Sequence, residues 1–308
     1  MLQHPHTDHI LMVRPAHFGF NPDTAASNAF QHIGKDAPEV VAQKAQVEFD
    51  QCVELLRQQG ISVQVIQDSH HPPKTDAVFP NNWFSTHPDG KIVLYPMLSP
   101  NRRLERTEAV IQTLMSCYAN PKVIDFATEH EAEGKFLEGT GSLILDRTHR
   151  IAYACRSPRT ATDLVIKWGK QMDYQTVLFD AVDSHGQAIY HTNVMMGLGE
   201  RFAVICLESI VDLSQRALVT QSLRETGHEI VEISHAQVQA FAGNMLQLRS
   251  SQGENLLAMS QRAHQSLTKA QRQKLTSYAR LLVFPLDVIE VCGGGSIRCM
   301  MAEIFREP

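Results

Sequence analysis

Short apolar runs alternate with longer amphipathic stretches along the whole chain. His9-Ile-Leu-Met-Val-Arg14 has the length of a buried strand and is closed by Pro15. From Pro38 to Gly60, residues Val41, Ala45, Phe49, Val53 and Leu56 fall near helical spacing, and Gly60 ends the pattern. Ser62-Val-Gln-Val-Ile-Gln67 alternates as a half-buried strand does. The same grammar continues, with strands predicted at 92–96, 123–126, 151–155, 176–179, 202–206, 229–233, 256–259 and 288–291. Helices are predicted over 101–117, 160–172, 213–226 and 269–281, and in the first of these Arg102, Arg103 and Arg106 are expected on the solvated side. Residues 18–30 form a long irregular loop rich in Asn, and residues 129–134 an acidic one. His70 and His71 precede Pro-Pro and read as solvent-facing loop rather than metal ligands.

A phrase recurs within this pattern: a small or polar corner, then Asn or Ser, then an apolar strand. It reads Pro80-Asn-Asn82-Trp-Phe, Gly139-Thr-Gly-Ser142-Leu, His191-Thr-Asn193-Val, Ala242-Gly-Asn244-Met and Gly294-Gly-Ser296-Ile. The Asn and Ser positions are 60, 51, 51 and 52 residues apart. A period near 50 means a closed array or solenoid of supersecondary units. Each unit supplies a return strand, a helix and a further strand, and the N-terminal strand and helix can complete the fifth. Five units closed in a circle make a pseudo-symmetric α/β propeller, with residues 1–308 as one domain.

Composition narrows the function classes. At 308 residues the chain is long enough for a large core, and 43% hydrophobic and 20% charged residues are ordinary for a soluble globular protein. A net charge of -5 implies neither a nucleic-acid nor an anionic-membrane partner. No apolar run has the length of a membrane span, and the first residues lack the basic and apolar regions of a secretory signal. Six cysteines without a CxxC pair fit reduced thiols, so a cytoplasmic location is expected. Fifteen histidines show no HExxH spacing, and neither a metal nor a cofactor is expected.

Rotational symmetry brings equivalent corners to one end of the axis. Asn81, Asn82, Glu138, His191, Asn193, Asn244 and Cys299 then share a pocket. A thiol, an imidazole and a carboxylate drawn from distant positions are the parts of nucleophilic catalysis. The terminal Cys292-Gly-Gly-Gly-Ser-Ile-Arg-Cys299 run reads either as a tight turn beside an inert thiol or as a backbone that wraps a small ligand.

These motifs together resemble the guanidine-modifying (pentein) superfamily of arginine deiminase, dimethylarginine dimethylaminohydrolase and the amidinotransferases. Arg14-Pro15, Phe79-Pro-Asn-Asn-Trp, Glu138-Gly-Thr-Gly-Ser, His191-Thr-Asn, Phe241-Ala-Gly-Asn-Met and Gly293-Gly-Gly-Ser-Ile-Arg-Cys299 carry the likeness, which is nearest to the branch of citrulline-utilisation hydrolases. The resemblance implies Cys299 as nucleophile, His191 as general acid and then base, and Glu138 as the group that holds the planar substrate by its N–H groups. Two departures from the deiminase pattern stand out: Asn82 and Asn193 occupy positions where deiminases carry aspartate. Amides in place of carboxylates weaken pairing with a guanidinium and add N–H donors for a carbonyl oxygen. The expected substrate is therefore a ureido amino acid, citrulline, giving ornithine, ammonia and carbon dioxide. The alternatives are an arginine deiminase or dimethylargininase type of hydrolase, an amidinotransferase, or a non-catalytic propeller used for binding. Arg298 and Arg14 are the two candidates to hold the substrate carboxylate; Arg298 alternatively serves structure. Asn21 and Asn28 are expected near the pocket unless they simply make the loop polar. The partner is a small-molecule amino acid, and a homodimer is left open.

Overall fold

The computed structural model describes residues 5–305. Its described residues form five three-stranded sheets. Strands β1 (His9–Arg14) and β2 (Ser62–Gln67) belong to the first, with β15 (Ala302–Glu303). The second holds β3 (Phe84–Thr86), β4 (Lys91–Leu94) and β5 (Lys122–Asp125), and the third β6 (Ile144–Asp146), β7 (Ile151–Cys155) and β8 (Gln175–Phe179). The fourth is β9 (Met196–Leu198), β10 (Phe202–Ile205) and β11 (Glu229–Glu232); the fifth is β12 (Leu246–Arg249), β13 (Asn255–Ser260) and β14 (Arg280–Phe284).

Every blade has the same plan, a short antiparallel pair and then a parallel strand reached through a helical crossover. The first blade is assembled from both ends of the chain. Strand β15 pairs antiparallel with β1, placing Ile10 opposite Glu303 and Leu11 opposite Ala302, while β2 runs parallel on the other side. This pairing closes the ring expected from the repeat and ties the Cys299 segment, just before β15, to the N-terminal strand. The helix Pro38–Gln58 covers this blade, burying Ala45, Phe49 and Leu56 completely. Truncating a buried aromatic such as Phe49 to Ala costs about 3–5 kcal/mol through lost transfer energy and the cavity left behind.

Several sequence expectations change. The 101–117 helix is two short helices, Pro100–Arg103 and Glu108–Met115. Two of these arginines are not solvated: Arg102 is 3% exposed, and Arg106 donates to both oxygens of Glu131, while Arg103 keeps 30% of its side chain exposed. Buried carboxylates draw these cations inward, which no periodicity records. The helix predicted over 269–281 ends at Thr276, and Arg280-Leu-Leu-Val-Phe284 forms β14 instead. The strand predicted over 288–291 is absent; Ile289–Gly293 is one wide helical turn, tied to the helix Pro38–Gln58 by Glu48, which accepts from the N–H groups of Val288 and Ile289. The acidic loop contains a helix, Ala127–Ala132, whose first N–H groups donate to Asp125. His70 and His71 are exposed, as expected of a loop.

Candidate active site

The recurring corners are single helical turns rather than direct strand entries: Pro80–Asn82, Gly139–Ser142, Thr192–Met195 and Ile297–Met300, with a tight turn at 241–244. Hydrogen bonds link one turn to the next. Thr140 donates to the Asn81 carbonyl (3.3 Å), Thr192 to the Ser142 carbonyl (2.6 Å) and Asn244 Nδ2 to the Asn193 carbonyl (3.0 Å). The Arg298 N–H closes on Asn244 Oδ1 at 3.1 Å. This chain of contacts gathers residues from all over the sequence, as the repeat required. Its tightness explains the glycines: a Cβ on Gly141 would lie 2.5 Å from Asn82 Nδ2 and 2.8 Å from His191 Nδ1. Gly294 has φ +64°, and its carbonyl accepts from the Tyr190 hydroxyl at 2.7 Å.

Cys299, His191 and Glu138 are all buried here. His191 Nε2 lies 2.8 Å from Glu138 Oε2, and the other carboxylate oxygen accepts the Leu98 N–H at 3.0 Å. Burial acts to raise the Glu138 carboxyl, but Arg159, the His191 hydrogen bond and Arg102 outweigh it and hold it at about 2. Burial lowers His191 to about 4 against the opposing pull of Glu138. A neutral imidazole beside a carboxylate carries its proton on Nε2, which leaves Nδ1 as the free base. The Cys299 sulfur receives two amide donors, Asn193 Nδ2 and Asn244 Nδ2, each at 3.3 Å.

Asn82 Oδ1 accepts from Arg102 Nη1 at 2.8 Å, so its Nδ2 faces the interior, buried and without a partner. Asn81 Oδ1 and Asn193 Oδ1 are likewise buried acceptors without donors. Unpaired buried polar atoms are rare and call for an occupant. Arg102 also holds Glu105 through two contacts of 2.8 and 2.9 Å.

Of the candidates for the carboxylate, Arg14 is not brought to the site: it pairs with Asp50 at 2.8 Å, with 30% of its side chain exposed. Arg298 is not on a strand but in the turn that carries Cys299. Its guanidinium donates to the Met301 carbonyl and pairs with Glu303 at 3.5 Å, which fits the structural reading. Asn28 donates to the Gly293 and Gly294 carbonyls, and Asn21 to Asp76 at 2.8 Å. The loop of residues 18–30 thus clamps the glycine run.

Three residues near the site escape a sequence reading. Arg159 lies 3.4 Å from Glu138 and is tied to Ser27 and Thr24 of the loop. Asp76 is buried, with Oδ2 taken by Asn21 and Oδ1 unpartnered. Arg102 was expected in solvent. Only Asp76 carried a sequence signal, its position six residues before Asn82.

Five blades with thiol, imidazole and carboxylate gathered at their inner turns place the chain in the guanidine-modifying (pentein) superfamily. More narrowly, the chain belongs to the family described as N,N dimethylarginine dimethylhydrolase, eukaryotic, whose model matches residues 14–306. This is a family of hydrolases. No curated protein sequence matches significantly. Among solved structures, the fold is similar to the N-terminal domain of ArgZ, an arginine dihydrolase from the ornithine-ammonia cycle in cyanobacteria, in a substrate-bound variant: TM-score 0.74, 16% identity, 97% of this chain and 98% of that one. Unliganded AgrE matches with TM-score 0.73 and 19% identity over 97% of this chain, which spans 39% of that longer one. A dimethylarginine dimethylaminohydrolase adduct with S-methyl-L-thiocitrulline matches with TM-score 0.65 and 14% identity, over 97% and 99% of the two chains. Among the described residues, no helix is long and apolar enough to cross a membrane.

Proposed function

We propose that this protein is a cysteine hydrolase of a ureido amino acid, with citrulline as substrate and ornithine, ammonia and carbon dioxide as products. The carrying observation is a set of buried, unpaired polar atoms on the corner residues: one donor, Asn82 Nδ2, and two acceptors, Asn81 Oδ1 and Asn193 Oδ1. A ureido group has one carbonyl oxygen to accept and several N–H groups to donate, and it satisfies this set. A guanidinium has no acceptor and leaves the Asn82 donor unpaired, which costs the desolvation of that group.

In the reaction, the Cys299 proton passes to neutral His191 as the sulfur attacks the ureido carbon. The C–N bond breaks, and His191 returns the proton to the departing amine. His191 then deprotonates water, which cleaves the S–C bond and frees the thiol; the carbamate left on the ornithine nitrogen loses carbon dioxide. Glu138 orients His191 and holds substrate N–H groups over the sulfur. Arg159, buried beside Glu138, is our candidate cation for the substrate carboxylate, and the unpaired oxygen of Asp76 our candidate acceptor for its ammonium group.

Arginine is the second reading. A carboxylate held at about 2, as Glu138 is, pairs well with a guanidinium. Product analysis separates them, and repeating it with an added amine acceptor tests amidino transfer. Citrulline is expected to give ornithine and ammonia in equal amounts; amidino transfer to the acceptor would overturn the hydrolase reading. All six cysteines are free, which suits the reduced cytoplasm as its location.

A further inference from the structure

A second cluster of reactive side chains lies outside the candidate site, at the C-terminal ends of two adjacent parallel strands. Strand β10 delivers Cys206 and, one turn on, Glu208; strand β11 beside it delivers His235. One sulfur, one carboxylate oxygen and one imidazole nitrogen from these three residues lie within 4.8 Å of one another. The main-chain N–H of His235 already donates to the Glu208 carboxylate, which holds the two loops together. The strand register makes the juxtaposition persistent: Ile205 pairs with Glu232, and the Ile233 N–H donates to the Ile205 carbonyl at 3.0 Å.

An independent feature points to an occupant. Ser209 sits in the same turn, fully buried, and its hydroxyl has no hydrogen-bond partner. A thiol is a poor acceptor, whereas a thiolate is a strong one. A metal that turns Cys206 into a thiolate would give that hydroxyl the acceptor it lacks.

We propose that Cys206, Glu208 and His235 bind a zinc ion. The donor set is one soft sulfur, one imidazole and one carboxylate, the mixture that zinc takes in tetrahedral sites, rather than the oxygen-only set of calcium or magnesium. Ligand atoms on one zinc lie roughly 3–4 Å apart, given bond lengths near 2.0–2.3 Å. Small rotations of Glu208 and His235, which are not fully buried, bring the three atoms to that spacing. The Cys206 proton leaves to solvent on binding. A solvent molecule on the Glu208 and His235 side would complete the fourth position. The other trio among the described residues, Glu129, His130 and Glu133, lacks sulfur, and Lys167 Nζ occupies His130 Nε2 at 3.0 Å.

The test uses metal-free full-length protein carrying Cys299→Ser, so that the sulfur of the candidate active site cannot report. Cobalt(II) is titrated and followed optically, and zinc affinity is measured by competition with a chromophoric chelator. One cobalt per chain with a thiolate charge-transfer band is expected, and Cys206→Ser is expected to abolish the band. His235→Ala, at a half-buried position outside the hydrophobic core, is expected to weaken zinc binding at least about tenfold. No cobalt thiolate band in the parent protein, or zinc binding unchanged by His235→Ala, overturns the proposal.

Discussion

Arg102 Nη1 donates to Asn82 Oδ1 over 2.8 Å, inside the fold and away from solvent. This one contact fixes the Asn82 amide, leaving its Nδ2 buried without a partner; under the proposed function that donor meets the substrate oxygen. Replacing Asn82 with Asp removes the donor and adds a carboxylate beside a cation. The ratio of kcat/KM for citrulline to that for arginine is expected to fall by about 100-fold or more, since a site built to donate to a substrate oxygen discriminates strongly. Steady-state kinetics on both substrates measures it; an unchanged ratio means that Asn82 does not meet the reacting group.

Arg102 also neutralises buried carboxylates. Burial raises Glu105 to about 7, with Arg102 holding it below where burial alone would put it. Replacing Arg102 with Met leaves Glu105 and Asp76 without their common cation, at a cost of about 3–5 kcal/mol in urea unfolding. The cost is expected to be smaller at pH 5 than at pH 8, because the unpaired carboxyl then takes up a proton. Equal destabilisation at both values would mean that charge is not the cause.

The strand at His9–Arg14 and the helix from Pro38 could be read from periodicity because each buries one continuous pattern. The five corners were legible because Asn82, Ser142, Asn193, Asn244 and Ser296 repeat, and a repeat of that period closes on itself. Arg102 was not legible. Its position in a charged amphipathic stretch marks solvent unless one knows that Glu105 and Asn82 lie beneath it, and that is a tertiary fact. The end of the fifth unit failed for a related reason. Arg280-Leu-Leu-Val-Phe284 is an apolar run that merges with the preceding helical pattern, whereas Val288 to Val291 looks like a strand but is coiled where Glu48 accepts its N–H groups. Arg159 and Asp76 carry no motif; only folding brings them to Glu138 and Asn21.

The acid side of the pH profile follows from His191. Its folded pKa is depressed from 6.5 to about 4, so the imidazole stays neutral, and able to accept the Cys299 proton, well below pH 6.5. The acid limb of kcat/KM is expected nearer 4 than 6.5. Stability runs the same way. A depressed histidine contributes fully above 6.5 and loses that contribution as pH falls through 4, and Glu138 loses its own between 4.5 and about 2. His191→Ala is therefore expected to flatten the stability loss between pH 6.5 and 4, measured by unfolding at a series of pH values.

Two amides on one sulfur give a prediction independent of substrate. Asn244→Ala deletes one of the two donors to Cys299. A hydrogen bond to a charged group is worth about 1.5–3 kcal/mol, so alkylation of Cys299 by iodoacetamide is expected to slow about tenfold or more. Peptide mass spectrometry resolves this thiol from Cys292. An unaltered rate would mean that the amides do not stabilise the reactive form.

The central claim is that Cys299, His191 and Glu138 hydrolyse a ureido group selected by the Asn82 donor. The most direct measurement is initial ammonia and ornithine release from citrulline, arginine, methylarginines and agmatine under one set of conditions, with Cys299→Ser as control. The account predicts citrulline as the fastest substrate and no turnover by the control. Release from arginine or a methylarginine far faster than from citrulline, or turnover retained by Cys299→Ser, would contradict it.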